Sequence, residues 1–378
     1  MTRVRRLLLL LLLGARPVLA HSVTNELALG LGADTPDHPH GTQVADQLTF
    51  RFDLNDDWTL KIGGAYTYDP ASAPATGATF GTSSAQVVNA LAGVDWDFTP
   101  RINLYLDAFV SPRSSQSFDS VVTVPIGPVV IPVDSLLDNA TSSLGMTAGA
   151  TFTIGGAEFL DSVVGGTLLD VSAGWTLLST QQRVGAFVDR TGKPVSRSTI
   201  EAYCRAVPRA AGCRLLAPYL RGGEDTLNQF SLGAGLLQPV GGSTQLGLAG
   251  SLYLYDKDPT TAAFFTFRAA QAATGSLGAG FPLLPPSWSV SPSLQQDVGS
   301  WSFVPWYEFI GYASDLGQAH VVGLRVSLRV DANWTLWVSG TAQWDLLAAS
   351  VDERSGRVAV AASTMTSGRV ALGVRARF

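Results

Sequence analysis

Charge is scarce in this chain of 378 residues: Asp, Glu, Lys and Arg make up 15% of it, against about one quarter in soluble domains. Lysine is rarer still, with only Lys61, Lys193 and Lys257 among 25 basic residues. Hydrophobic residues nevertheless reach 46%, which excludes a disordered chain. Long apolar runs are also missing. After residue 20 no stretch has the roughly 20 continuous apolar residues of a membrane helix. The apolar content must therefore follow a shorter period. Two cysteines, Cys204 and Cys213, are too few for a disulfide-framed miniprotein or a four-cysteine zinc site. Four histidines and no Gly-x-Ser-x-Gly elbow leave little for hydrolytic chemistry. His38-Pro-His40 with Asp34 and Asp37 lacks a third clustered metal ligand. His320 alone would have to serve a lipase-like site. We therefore expect no enzyme, no catalytic residues, no cofactor and no metal.

The N-terminus is an address. Met1 to Arg6 is basic, Leu7 to Leu13 is a leucine run, and Val18-Leu19-Ala20 precedes a cut. These are the three regions of a secretory signal peptide over residues 1–20. Losing Arg3, Arg5, Arg6 and Arg16 would shift the formal charge from −5 to −9. An acidic mature chain has no general attraction to nucleic acid. Export also permits a Cys204–Cys213 disulfide.

From residue 21 onward the chain alternates. Leu48, Phe50, Phe52 and Leu54 are spaced by Thr49, Arg51 and Asp53; Val322 to Val330 and Val370 to Phe378 follow the same rule. A period of two denotes strands with one apolar face. Fourteen such segments are legible, at about 22–32, 43–54, 58–68, 85–98, 102–111, 140–154, 163–179, 226–237, 243–256, 287–297, 301–313, 318–330, 334–349 and 366–378. Most meet the roughly 9–11 residues that cross a bilayer as a tilted strand. Tight turns such as 55–57, 99–101 and 331–333 alternate with long segments at 112–139, 180–225 and 257–286. Short turns on one side and long outer loops on the other mark an outer-membrane barrel. In lipid every backbone polar group needs a partner within the protein, so the sheet must close. The expected fold is all-β: a closed antiparallel up-and-down transmembrane β-barrel of about fourteen strands over 21–378. Twelve or sixteen would keep the parity, and 257–297 is the ambiguous stretch. Phe52, Trp58, Trp96, Phe98, Trp334 and Phe378 recur beside turns, as an interfacial aromatic girdle would. Asn55-Asp-Asp-Trp58-Thr-Leu60 echoes Asp331-Ala-Asn-Trp334-Thr-Leu336, which reads as recurring turn chemistry.

The ending Arg369-Val-Ala-Leu-Gly-Val-Arg-Ala-Arg-Phe378 resembles the last strand of Gram-negative outer-membrane proteins. Those finish in alternating apolar residues with a terminal aromatic, the signal read by the barrel-assembly machinery. The resemblance implies an outer-membrane location, Phe378 as assembly signal, and outer-membrane lipid and lipopolysaccharide as surroundings. It identifies no family within that group. No plug of the TonB-dependent kind is legible. Nor is a separate hatch like that of the fatty-acid transporters, because alternation already begins at Leu27, Leu29 and Leu31.

If large apolar residues face lipid, the inner face is rich in small ones: Gly63, Gly93, Gly145, Gly149, Gly174, Gly233, Gly247, Gly323, Ser339 and Gly373 among them. Fourteen strands at about 4.8 Å, tilted near 40°, give a backbone diameter of very roughly 28 Å. Small side chains cannot fill that width, so a watery lumen or one occupied by loops is expected. The candidate lumen-lining charges are Glu26, Arg51, Asp53, Lys61, Asp95, Asp97, Asp107 and Asp170 early in the chain, then Arg325, Arg329, Asp345, Arg375 and Arg377. On a closed barrel they set an acidic arc against a basic one, which would orient dipolar solutes. Local ion pairing is the competing outcome.

Segment 180–225 carries eight basic residues against four acids. Its Ser198-Thr-Ile-Glu201 is a capping-box pattern for a short helix. Binding lipopolysaccharide phosphates and narrowing the mouth are its two functional readings. Segment 121–133 is apolar with a Pro125-Ile-Gly-Pro128 tip, and 262–267 and 281–286 are also apolar. Such a mouth suits hydrophobic solutes, but strand extensions packed on one another are the stronger expectation for it. The resulting expectation is a porin-like channel for passive or facilitated diffusion of small solutes. An uptake barrel for hydrophobic compounds and a non-conducting structural or adhesion barrel are the alternatives. Homo-oligomerisation is left open.

Overall fold

The structure is a computed structural model, and it describes residues 22–33, 42–69, 84–126, 129–159, 162–189, 191–259, 285–348 and 362–378. The signal-peptide segment, His38, His40 and the apolar stretch 262–267 lie outside the described residues.

Sixteen strands form among the described residues. They are β1 (Ser22–Ala33), β2 (Thr42–Asp53), β3 (Trp58–Asp69), β4 (Ser84–Thr99), β5 (Ile102–Ile126), β6 (Val129–Ile154), β7 (Ala157–Phe159), β8 (Ser162–Val164), β9 (Thr167–Asp189), β10 (Gly223–Pro239), β11 (Thr244–Tyr255), β12 (Pro286–Val298), β13 (Trp301–Tyr312), β14 (Gly317–Arg329), β15 (Trp334–Leu347) and β16 (Ser363–Arg377). Two helices, α1 (Arg197–Ala206) and α2 (Ala211–Arg221), stand between β9 and β10. All strands except β7 and β8 pair with their chain neighbours into one closed antiparallel barrel of fourteen. It is sealed where β1 meets β16 in register from Ser22–Arg377 to Ala33–Thr366. Closure leaves no free sheet edge, as a lipid environment demands.

The outer surface is what makes it a transmembrane barrel. Leu27, Leu29, Ile62, Leu106, Leu144, Leu232, Leu252, Val322, Leu336, Val370 and Leu372 are all exposed, and they share the outward parity of their strands. A soluble chain does not tolerate so wide an apolar band. Aromatic rings border it at both ends. At the turn end Trp58 stacks on Trp96 at 5.1 Å and Phe98 meets Trp96 edge-on at 5.0 Å. At the far end stand Tyr66, Trp175, Phe230, Trp288, Tyr307 and Trp344.

The turns are closed by local chemistry. Asn55 Oδ1 accepts hydrogen bonds from the backbone N–H of Asp57 and Trp58, both 2.9 Å. Asp331 Oδ1 does the same for Asn333 (2.7 Å) and Trp334 (2.9 Å). The motif shared by the two segments is thus one Asx turn used twice.

Two expected boundaries differ. The described part of segment 112–139 is strand and not loop. Strands β5 and β6 run on to Ile126 and Val129 and stay paired to the Ile126–Val129 pair. The first part of 180–225 likewise belongs to β9, which pairs with β6 as far as Asp189–Val133. Alternation in 121–133 is masked by its continuous valines, and sequence alone does not show that three strands lengthen together. The link from β6 to β9 contains a small hairpin, β7–β8, which no alternation announces.

Candidate functional site

The candidate site is the inner wall. Register and parity place every charged residue proposed from the sequence on that face: Glu26, Arg51, Asp53, Lys61, Asp95, Asp97, Asp107, Asp170, Arg325, Arg329, Asp345, Arg375 and Arg377. Their arrangement is more local than two opposed arcs. Asp95 holds two cations, Arg51 at 2.8 Å and Lys61 at 2.9 Å, and Lys61 also reaches Asp107 at 2.6 Å. Asp170 accepts from the Tyr105 hydroxyl (3.1 Å) and the Thr151 hydroxyl (2.9 Å). Asp97 accepts from Asn103 (2.7 Å), and Asp53 from Thr59 (2.9 Å). Arg375 donates to Thr24 at 3.3 Å.

The two arcs meet beside Glu26. Arg325 on β14 lies 3.6 Å from Glu26 on β1, an ionic contact too long for a hydrogen bond. Its guanidinium stands 5.7 Å from the Trp337 ring centroid, within cation–π range. Asp345 is fully enclosed. Gln343 donates to both of its oxygens at 3.0 Å, and the Tyr312 hydroxyl donates to it as well. It is bound into the wall rather than displayed to the axis.

The glycines do more than leave room. A Cβ at Gly149 would meet the Tyr105 ring at 2.3 Å, at Gly145 the Phe109 ring at 2.2 Å, at Gly323 Trp306 at 2.1 Å and at Gly373 Trp337 at 2.0 Å. Each glycine is a seat for an aromatic side chain on the neighbouring strand, laid flat along the wall. These inward aromatics were missed in the sequence because large apolar residues were assigned to lipid. The available signal is an aromatic on the polar parity directly opposite a glycine, and it needs the register to be read.

Opposite the ionic wall, β10–β13 present Ser231, Ser251, Ser289, Ser291, Ser293, Gln295 and Ser302, with Tyr253, Tyr255 and Trp306. Asp225, Asp297 and Glu308 are the charges on this inward parity.

Above the barrel, α1 and α2 are joined by a Cys204–Cys213 disulfide. Ile200, Leu216 and Tyr219 pack with Val133 of β6 and Phe187 of β9. Burial pushes the Tyr219 hydroxyl pKa up. Val133 continues the inward parity of β6, and a bulge in β9 opposite Leu136–Leu137 brings Phe187 to the same face, so the helices sit on the axis side of the extended hairpin. Arg205 and Arg209 are exposed there. Asp189, at the end of β9, is held below the usual carboxylate range by the Thr191 hydroxyl and by the backbone N–H groups of Lys193 and Thr191. Asp256 is lowered by Asn228, and Lys257 is raised by its bond to Asp225. His320 faces outward, sharing a 2.6 Å hydrogen bond with Tyr307 and meeting Phe309 edge-on at 4.9 Å.

No family model matches the chain, and no curated protein matches it. Solved structures do. A Pseudomonas aeruginosa FadL homologue superposes with a TM-score of 0.55 at 10% identity, covering 94% of this chain and 89% of that one. The Ralstonia pickettii toluene transporter TbuX gives 0.54 at 9% identity, covering 95% and 90%. At such identity the likeness concerns the fold: a closed, membrane-spanning fourteen-strand β-barrel.

Proposed function

We propose that the chain is a channel in the outer membrane of a Gram-negative bacterium, admitting small solutes by diffusion along its inner wall. The observation that carries this reading is the segregation of side chains across one closed sheet. The outer face is apolar, whereas the inner face carries paired ions, hydroxyls and amides, which suits a hydrated interior. Likeness to a FadL homologue and a toluene transporter supports passage of solutes and accords equally with a second reading, uptake of hydrophobic compounds. Catalysis is not part of either reading: the His320 ring is engaged with Tyr307 and Gln318 on the outward parity.

Planar-bilayer recording tests the proposal. Discrete conductance steps are expected from the purified protein. Arg325→Glu removes the cation at the contact between the two arcs and places two carboxylates together, so cation selectivity should rise severalfold. Absence of steps at any voltage would sink the channel reading. Steps whose selectivity ignores Arg325→Glu would remove that residue from the path.

A further inference from the structure

Four neighbouring strands bring together polar side chains for which the described residues supply no hydrogen-bond partner. Asn89 on β4 is paired across the sheet with Ala65. It stands beside Ser111 on β5, one step beyond the Ala90–Val110 pair. Ser111 is paired with Ser143 on β6. Thr67 on β3 sits two pairs further along, opposite Val87 and on the same face. All four point to the barrel axis and are 1–4% exposed. Among the described residues, both polar atoms of Asn89, the hydroxyls of Ser111 and Ser143, and that of Thr67 find no hydrogen-bond partner. Directly opposed Cβ atoms across such strands are about 4.5–5.5 Å apart and diagonal ones about 7–8 Å, so these groups form one crescent with Thr67 at its edge.

Buried polar groups are normally satisfied, and leaving one unmade costs about 1–3 kcal/mol. Five such atoms in one place are an exception that calls for a missing partner. The crescent's surroundings limit what that partner is. Phe109 lies over Gly145 directly below, with Leu91 paired to it. Leu178 and Leu227, paired and buried, continue the row on β9 and β10. Among the described side chains no formal charge stands in the crescent: Asp107 lies four residues from Ser111 and Lys61 six residues from Thr67, and the two are bonded to each other. Burying an ion here would leave it uncompensated. A neutral group can use the amide N–H donors of Asn89, its carbonyl acceptor and three hydroxyls.

We propose that Thr67, Asn89, Ser111 and Ser143 form a binding subsite for uncharged solutes that carry a hydroxyl or amide on an apolar body. The inference rests on the channel reading and narrows its solute class. The polar group docks in the crescent, and the apolar body lies on Phe109, Leu91 and Leu178.

The test uses the full protein in lipid nanodiscs at pH 7, with empty discs subtracted. Three probes are titrated by calorimetry: cyclohexanol, cyclohexylammonium and cyclohexanecarboxylate. Cyclohexanol should bind at least tenfold more tightly than either ion. Asn89→Leu should weaken cyclohexanol about tenfold, the effect of losing one to two hydrogen bonds. Should Asn89→Leu fail to fold, the Ser111→Ala, Ser143→Ala double variant removes two hydroxyls with little change of volume and should weaken it similarly. Equal binding of all three probes overturns the inference. So does wild-type affinity for cyclohexanol in the variants; a raised melting temperature alongside would identify the crescent as a water-filled shell. Conductance separates the two proposals. A conducting protein without neutral preference removes the subsite alone, and a non-conducting protein with the expected binding removes the channel alone.

Discussion

At the turn end, Asn55 and Asp331 each close a hairpin with two hydrogen bonds to residues two and three positions on. At the far end β5, β6 and β9 run long together, and two helices tied by a disulfide rest on them. One end is built from contacts a few residues apart. The other joins Val133 to Phe187 and Leu216 across more than fifty residues. The difference teaches that the barrel wall and the helical cap are stabilised by separate sets of interactions. The cap has its own buried core, whereas the barrel wall relies on its hydrogen-bond ladder and on lipid. Damage to the cap should therefore leave the barrel standing.

The largest expected effect breaks that core. Leu216 is completely buried, and truncating such a leucine costs about 2–5 kcal/mol. Leu216→Ala should release the cap, with trypsin cutting at Arg205 and Arg209 much faster than in the wild type. The barrel's heat-modified migration on gels should stay unchanged. If barrel and cap melt together in this variant, the separation of the two ends is wrong. A smaller effect follows from Cys204→Ser with Cys213→Ser. The disulfide closes a ring across a sequence separation of 9, worth about 2–3 kcal/mol of chain ordering. Cleavage at the same arginines should rise, by less than in Leu216→Ala because the core still packs.

The same contrast decides what was legible in the sequence. All fourteen barrel strands could be read from alternation because one residue in two must face lipid, and a period of two survives without any knowledge of partners. The repeated Asn55 and Asp331 turns were legible for the same reason, since their hydrogen bonds stay within four residues. The inner charges could be assigned to a face, but not paired. That Asp95 draws both Arg51 and Lys61, or that Arg325 reaches Glu26 past two intervening strands, depends on register and side-chain reach. Tyr105, Phe109, Trp306 and Trp337 were hidden because burial against a glycine and burial in lipid look alike in a hydropathy pattern. The lengthened β5–β6 hairpin is only the stronger of two readings in the sequence, because its polar alternation is lost between Val121 and Val133. Asn89 gave no signal: it becomes notable only once Ser111 and Ser143 stand beside it.

The smallest effect belongs to the turn end and tests whether its local chemistry carries weight. Asn55→Ala and Asp331→Ala each remove an oxygen that receives two backbone N–H groups exposed to solvent. Water can replace much of that bonding, so each should cost about 1 kcal/mol or less. The urea midpoint for unfolding from lipid vesicles reads the loss. The hairpins involve β2–β3 and β14–β15, whose nearest strands are three spacings apart around the barrel, roughly 14 Å. Sites so separated act independently, so the double variant should show the sum of the two losses. Asp331→Asn keeps the accepting oxygen and should restore the midpoint, which a general loss of charge at the turn would not allow. A double variant as stable as the wild type would mean that strand pairing alone sets these turns. The Asx bonds would then be a consequence of the register and not one of its causes.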